Sequence, residues 1–405
     1  RSSIGWAGLI FGVYAINFLW APLIDRLHIP YLSKKIGHRK SWIIMMQLII
    51  FIALILWSFL DPSKNLWLVI AAGLGIAISS ATQDITIDAL RIEQIGKNEG
   101  RSMAAGAAIS VVGWWTGYKI GGAISLISAE FFQRQGVENY WQSSFLLLTL
   151  IIFSCSLGLL FVPEKSSNKR VLNQTAADQK IINRLGSNNN LNKTLAWLSG
   201  TIIEPIKSFF KKNSTKVALG ILGFIFLFKI GEAFLGRMSI VFYNEIGFSK
   251  TDIALYSKGI GWITTVTFTL LGGLFAIRMG LIKAMFVSGI IMALTNLMFS
   301  ILAWVGNSEM LFAFTVLIDD LAAAFATVAF VAFISALVDR TYTATQYALL
   351  ASVGTAGRTL FASSSGSLVD WLNGDWGIFF IITALMVIPS LICLLLIRKK
   401  LNLND

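Results

Sequence analysis

Charge is scarce in this chain: Asp, Glu, Lys and Arg make up 13% of its 405 residues, about half the share usual in a soluble domain. With 56% of the residues hydrophobic, that scarcity excludes an ordinary water-soluble globule. Histidine is nearly missing. His28 and His38 both fall in one basic loop, so no histidine relay through a membrane is available. Only two cysteines occur, Cys155 and Cys393, each inside an apolar run, which leaves neither a disulfide framework nor a zinc set. No metal or organic cofactor is expected. The sequence opens at Arg1 without the basic flank, short apolar core and cleavage site of a signal peptide.

What the chain does have is long apolar runs, many of ~20 residues or more, enough to cross ~30 Å of hydrocarbon. Hydropathy predicts eleven crossings, at 5–24, 42–60, 66–90, 103–127, 141–162, 217–243, 253–277, 284–305, 310–338, 347–372 and 376–397. All are expected to be helices, since unpaired backbone groups cannot face lipid. The chain is thus an all-α polytopic membrane protein.

Of the 33 Lys and Arg, 24 fall in one set of alternate loops and the C-terminal tail, while the opposite loops hold Lys64, Arg134 and Lys250. The positive-inside rule places the first set, and the C-terminus, in the cytoplasm. The net charge of +12 is therefore topogenic, and no nucleic-acid partner is needed to explain it. This orientation leaves Arg1 outside after an odd number of crossings. The expectation is that the first helix of a twelve-helix protein is absent from this chain. The domain plan is an N-terminal half at 1–162 with five crossings, a cytoplasmic linker at 163–216, and a C-terminal half at 217–405 with six. In the linker, "GSNNNLNKT" reads as the most flexible part. "LAWLSGTIIEPIKSFFKK" is amphipathic, and serves either as a membrane-surface helix or as a mere tether.

Ten charges remain inside the apolar runs: Asp84, Asp88, Glu232, Asp319 and Asp320 against Lys119, Lys229, Arg237, Lys258 and Arg358. An unpaired charge in hydrocarbon costs ~2.5 kcal/mol or more, so such residues face a polar interior and mark a path. Asp84 and Asp88 share one helical face near a helix end. Asp88 with Arg91 reads equally as a structural ion pair. Lys229 and Glu232 are one turn apart and ~18 Å into their helix at 1.5 Å per residue, as a packing pair or as substrate and proton handlers. Asp319 and Asp320 point ~100° apart, so only one can face a given partner. Arg237 and Lys258, near helix ends, read as snorkelling residues. Gly113, Gly117 and Gly121 recur every four residues and read as a smooth packing face, with a hinge as the alternative. Trp114 and Trp115 read as packing or interface anchors, with stacking on a sugar as the alternative.

A weak internal repeat relates the halves. "APLIDR" followed by "KKIGHRK" has its counterpart in "GLFAIRMGLIK", with Arg278 matching Arg26 and Ile277 standing where Asp25 has its acid. Both copies resemble the loop signature of the major facilitator superfamily, which assigns Asp25, Arg26 and Arg278 to the gating loops of a 6+6 helix bundle. "FLWAPLIDR", "SATQDITIDA", "KIGEAF", "TATQYALLASVGTAGR" and the small-residue run "AAFATVAFVAF" together resemble the AmpG-type muropeptide permeases of Gram-negative bacteria, a branch of that superfamily. The resemblance runs from Gly5 to beyond Arg358.

The resemblance implies proton-driven import of N-acetylglucosaminyl-1,6-anhydro-N-acetylmuramic acid, with or without its peptide, across the bacterial inner membrane for peptidoglycan recycling. The protein would act as a monomer, with the proton gradient as driving force. Ala81, Gln83, Asp84 and Asp88 match the family's motif, as do Lys229, Glu232, Lys258 and Arg358. Lys119 and Asp319 fall at a basic and an acidic position; Arg237 and Asp320 do not match. The ligand's carboxylates suit Lys229, Lys119 and Arg358 as counter-charges, with Gln83 and Trp114 for the sugar. A carboxylate that changes charge between the two faces suits proton coupling, in the order Glu232, Asp84, Asp319, with Asp88 as a further candidate. The competing readings are a carrier of another anionic solute such as acetyl-CoA, a solute sensor without transport, and an intramembrane enzyme. The last would need a recognisable dyad or metal set, and the 6+6 plan argues against it.

Overall fold

The computed structural model describes residues 9–60, 65–96, 99–164, 168–185, 189–249 and 261–401, and among these it is helical without a strand. In chain order the helices are α1 (Leu9–Ile16), α2 (Ala21–Arg26), α3 (Leu32–Ile36), α4 (His38–Phe59), α5 (Leu66–Gln94), α6 (Gly100–Thr116), α7 (Gly122–Arg134), α8 (Tyr140–Leu160), α9 (Asn168–Leu185) and α10 (Asn190–Asn213). There follow α11 (Thr215–Leu227), α12 (Ile230–Ile246), α13 (Gly261–Met279), α14 (Leu281–Val305), α15 (Glu309–Leu337), α16 (Thr343–Ala362), α17 (Ser365–Trp371), α18 (Trp376–Leu385) and α19 (Ile388–Ile397).

Among the described residues eight helices are long and apolar enough to cross a membrane; α11 with α12, and α18 with α19, each count as one. The other three sequence-predicted crossings are interrupted. The run 5–24 lies partly outside the described residues and is otherwise broken into α1, a 3₁₀ turn at Asn17–Leu19, and α2, which starts at the Ala21-Pro22 pair. The run 103–127 is α6 joined to α7 through a π-turn at Gly117–Gly121. The run 347–372 is split between α16 and α17 at Ser363 and Ser364, whose hydroxyls turn back on the carbonyls of Leu360 and Phe361. Residues 253–260 of the seventh predicted run, with Lys258, lie outside the described residues.

Side chains are sorted as a bilayer demands. On α4, Leu48, Ile52 and Leu56 are exposed at every fourth position while Gln47 is buried. Apolar residues face outward and polar ones inward, the reverse of a soluble helix.

The chain forms two compact units. One comprises Arg1–Gln94, Gly117–Phe209 and Val338–Ser352; the other comprises Ile95–Thr116, Phe210–Leu337 and Val353–Asp405. Each unit draws on three separate stretches of the chain. In the first unit Ile24 and Ile85 form a core with Ala21, Ala89, Ala344 and Ala348, and the alanines let backbones approach closely. In the second, α6 packs on α13, where Gly273 leaves room for Ala108. Its main core is aromatic: Phe242, Phe299, Phe312, Phe379 and Phe380 are fully buried. The Phe242 and Phe380 rings meet edge-on at 4.7 Å, an arrangement worth ~0.5–1.5 kcal/mol beyond area burial.

Among the described residues a Cβ at Gly113, Gly117 or Gly121 would meet nothing within 4 Å. Gly117 and Gly121 bound the π-turn, a local widening of the helix frequent at functional sites. The linker is more ordered than its composition suggests. Most of it is α9 and α10, and Asn189 caps α10 by accepting from the Asn192 amide at 2.8 Å. Residues 186–188 of "GSNNNLNKT" lie outside the described residues.

Candidate functional site

The crossing formed by α11 and α12 is bent where its charges lie. α11 ends before Phe228, and Lys229, with φ −104° and ψ 14°, precedes α12. Gly357 of α16 lies against the carbonyl oxygen of Phe226 so closely that any Cβ would overlap it. A bulkier residue on α16 would therefore push the bend apart.

From this bend the Lys229 side chain is buried, its ammonium 3.0 Å from Glu232 Oε2 and donating to Thr327 Oγ1 of α15 at 2.7 Å. Thr327 in turn donates to the Ala323 carbonyl, which fixes its hydroxyl so that an oxygen lone pair meets the lysine. One turn before Ala323, Asp319 accepts from Thr295 of α14 at 3.0 Å. Glu232, Arg237, Asp319, Thr355, Arg358 and Thr359 are among the residues lining a cavity of about 580 Å³. It presents two acids and two guanidinium groups, with the Lys229–Glu232 pair at its edge. Such a wall can hold a carboxylate bidentately through Arg while offering acids to a mobile proton.

The acid pair that the sequence singles out lies on α5, in the other unit. Asp88 is buried and paired with Arg91 at 2.8 Å, the ion-pair alternative. Asp84, one turn earlier, is exposed. Gln83 beside it carries a buried Oε1 with no hydrogen-bond partner among the described residues, and an acceptor left so is costly without a ligand or water. Lys119 sits in the π-turn. Trp114, on α6, is 56% exposed and meets Trp115 edge-on at 4.8 Å.

A third cluster gathers at the basic-loop side. Asp25, 1% exposed, accepts from Arg39 Nη2 at 2.6 Å, the amides of Ala344 and Thr345 at 3.2 and 2.8 Å, and the Thr345 hydroxyl at 2.6 Å. Those amides open α16 and have no partner within their own helix, so a carboxylate about 320 residues away in sequence caps it and complements its dipole. Arg39, fully buried, also holds Glu93 at 2.6 Å. From α9, Arg170 reaches Glu93 at 3.0 Å, and Gln174 donates to the Asp25 and Thr341 carbonyls. Asp178 takes Arg26 bidentately at 2.6 and 2.9 Å. Burial presses the Arg170 guanidinium below the usual Arg range; neighbouring Arg39 adds to this and Glu93 opposes it. Arg278, the repeat mate of Arg26, is exposed and forms no ion pair among the described residues. A cavity of about 800 Å³ beside this cluster is lined by His28, Tyr31, Lys34, His38 and Glu164 among others, with none of the membrane-embedded charges.

Of the sequence candidates, the structure brings Glu232, Asp319 and Arg358 to one cavity with Lys229 at its edge, and Asp25 and Arg26 into one network with α9. It places Gln83, Asp84 and Asp88 together on α5. Arg237, read as a snorkelling residue, is exposed and is among the residues lining the cavity. Asp320 does not line the cavity, as the ~100° separation from Asp319 requires. Sequence reasoning missed Arg39, Glu93, Arg170, Gln174 and Asp178. Arg39 and Arg170 enter only among the loop cations of the positive-inside rule, and Glu93, Gln174 and Asp178 give no local signal.

Residues 1–263 match the sequence profile of the Major Facilitator Superfamily. The putative transporter AmpG 4 of Rickettsia felis is 31% identical over 392 residues, covering 96% of this chain and 86% of that protein. The anhydromuropeptide permease of Escherichia coli K12 is 28% identical over 401 residues, covering 99% of this chain and 73% of the permease. Among solved structures, the E. coli fucose:proton symporter FucP superposes with a TM-score of 0.67 at 12% identity, over 99% of this chain and 92% of FucP. The proton:xylose symporter XylE gives 0.60 at 15% identity, over 97% of this chain and 85% of XylE.

Proposed function

The chain belongs to the major facilitator superfamily, within its AmpG-type branch, and is a multi-pass membrane transporter; from that premise we propose that it imports anhydromuropeptides across the bacterial inner membrane, coupled to protons. The observation that carries this reading is the cavity of about 580 Å³ walled by Glu232, Asp319, Arg237 and Arg358. An amino sugar bearing a lactyl carboxylate, with or without peptide carboxylates, needs a bidentate cation and several hydroxyl and amide partners. Arg358 and Arg237 supply the first; Thr355 and Thr359 contribute to the second.

Proton coupling falls to the acids of the same wall. Glu232 is tied to Lys229, so a proton taken by Glu232 frees the ammonium for a substrate carboxylate. Loss of that proton restores the pair and releases the anion. Asp319, which accepts from the neutral Thr295 hydroxyl, is the second carrier on this wall. On α5, Asp84 is the further candidate, with Gln83 offering its unpartnered oxygen to a sugar hydroxyl or acetamido N–H. Asp88 is committed to Arg91, and Lys119 keeps its expected role as a counter-charge.

With the basic loops in the cytoplasm, the Asp25 network becomes the inner gate: α2, α4, α9 and the start of α16 must part before a ligand leaves on that side. The likeness of the chain to the E. coli permease supports the substrate class. Binding of the radiolabelled anhydro-disaccharide to purified protein tests it. Saturable binding that the Arg358→Gln variant weakens supports the assignment. Equal displacement by the same disaccharide lacking its carboxylate refutes the cationic wall as the recognition element.

A further inference from the structure

Away from the charge cluster, α14 and α19 frame a groove of about 190 Å³ whose lining is Met279, Ile282, Lys283, Phe286, Val287, Leu394, Leu395 and Arg398. Its two ends differ in chemistry. Lys283 is the third residue of α14 and Arg398 directly follows the last residue of α19. Both cations therefore stand at the membrane face that bears the basic loops, both are exposed, and no acid is among the lining residues. Val287 and Leu394, each four residues inward of a cation, lie ~6 Å deeper. The groove also has a floor. One half-turn beyond Val287, Gly289 allows Leu391 so close that a Cβ there would stand 2.8 Å from Leu391 Cδ2. The two helices thus meet closely just beyond the groove and close it at that end.

A wedge with apolar walls at acyl-chain depth and a pair of cations at headgroup depth matches one kind of molecule in a membrane. We propose that it is a binding site for an anionic phospholipid. The lipid phosphate lies between Lys283 and Arg398, and the first methylenes of one acyl chain run along Phe286, Val287, Leu394 and Leu395. A zwitterionic lipid fits the walls as well but adds a cation beside two others. A free phosphate ester satisfies the cations and leaves the walls empty.

The test is native mass spectrometry of the full chain in detergent, titrated separately with phosphatidylglycerol, phosphatidylcholine of the same chains, and glycerol 3-phosphate. Expected is retention of one phosphatidylglycerol, at least tenfold tighter than phosphatidylcholine and not displaced by glycerol 3-phosphate. The K283Q/R398Q variant, which changes two exposed side chains, loses affinity roughly thirtyfold, as expected for two cations near a lipid surface. L395W keeps both cations and fills the groove from an exposed position, and it too loses the lipid. Equal retention of phosphatidylcholine, or unaltered binding by K283Q/R398Q, overturns the proposal. Unaltered binding by L395W reduces it to surface charge alone. Full displacement by glycerol 3-phosphate turns it into a phosphate-ester site, and a dimer that forms only without lipid assigns the groove to a second copy of the chain.

Discussion

Replacing Asp25 by Asn changes one atom type in a site with almost no solvent, so its consequence can be worked from the geometry. The carboxylate receives four donors: Arg39 Nη2, two backbone amides and the Thr345 hydroxyl. An amide of the same size keeps one acceptor and turns an NH₂ group against the others. Breaking a buried ion pair costs about 3–5 kcal/mol. Arg39 retains Glu93 at 2.6 Å, which offsets part of this, so about 3 kcal/mol is expected, roughly 150-fold in the local equilibrium. The loss falls on the start of α16, where the Ala344 and Thr345 amides lose their cap. Hydrogen exchange of the protein in nanodiscs reads this opening directly. Protection at 344–350 should fall about a hundredfold in Asp25→Asn. Glu130→Gln, which breaks an ion pair exposed on both sides, should leave it unchanged. A fall of less than tenfold in Asp25→Asn would refute the claim that this carboxylate holds α16 in place.

Gly357→Ala should force α16 off the bend at Phe226–Lys229, because the added Cβ overlaps a backbone carbonyl that cannot rotate away. Overpacking of this kind costs about 1–3 kcal/mol and is expected to appear as a lower melting temperature, whereas Gly113→Ala, with open space around it, should be neutral. Lys229→Met should leave Glu232 without its cation and lower substrate affinity more than tenfold; the Lys229→Arg variant, if it binds at wild-type strength, would show that charge alone suffices. In the basic loop, burial pushes the His28 pKa below its ordinary value, opposed by its contact with the Arg26 carbonyl. The folded state thus prefers neutral His28, and its contribution is present above about pH 6.5 and lost as the pH falls below it. Thermal stability measured from pH 7.5 to 5 should decline less in His28→Gln than in the parent; an identical decline would remove His28 from the explanation.

The crossings were legible because twenty apolar residues in a row admit few structures, and the Lys229–Glu232 pair because i and i+3 adjoin on any helix. What local spacing does not encode was not legible. Asp25 finds Thr345 about 320 residues on, and α9 brings Arg170, Gln174 and Asp178 onto the cluster around Asp25 and Arg26 from a stretch whose Asn-, Lys- and Ser-rich composition resembles a tether. Arg237 reads as a snorkelling residue from its place near a helix end; that it shares a cavity wall with Asp319 and Arg358 depends on helices far away in sequence. For Gly113, Gly117 and Gly121 spacing alone does not separate a packing face from a hinge. Spacing of four describes a face only where the turn is 3.6 residues, and Gly117–Gly121 is wound wider.

Gradient-driven uptake tests the central claim most directly. The protein is placed in proteoliposomes with an inward proton gradient, and entry of labelled N-acetylglucosaminyl-1,6-anhydro-N-acetylmuramic acid is followed for the parent and for Glu232→Gln. Accumulation that collapses when the gradient is dissipated, and that Glu232→Gln abolishes while exchange across the membrane persists, is the predicted result. Uptake indifferent to the gradient, or no uptake by well-folded protein with or without peptide on the sugar, would contradict it.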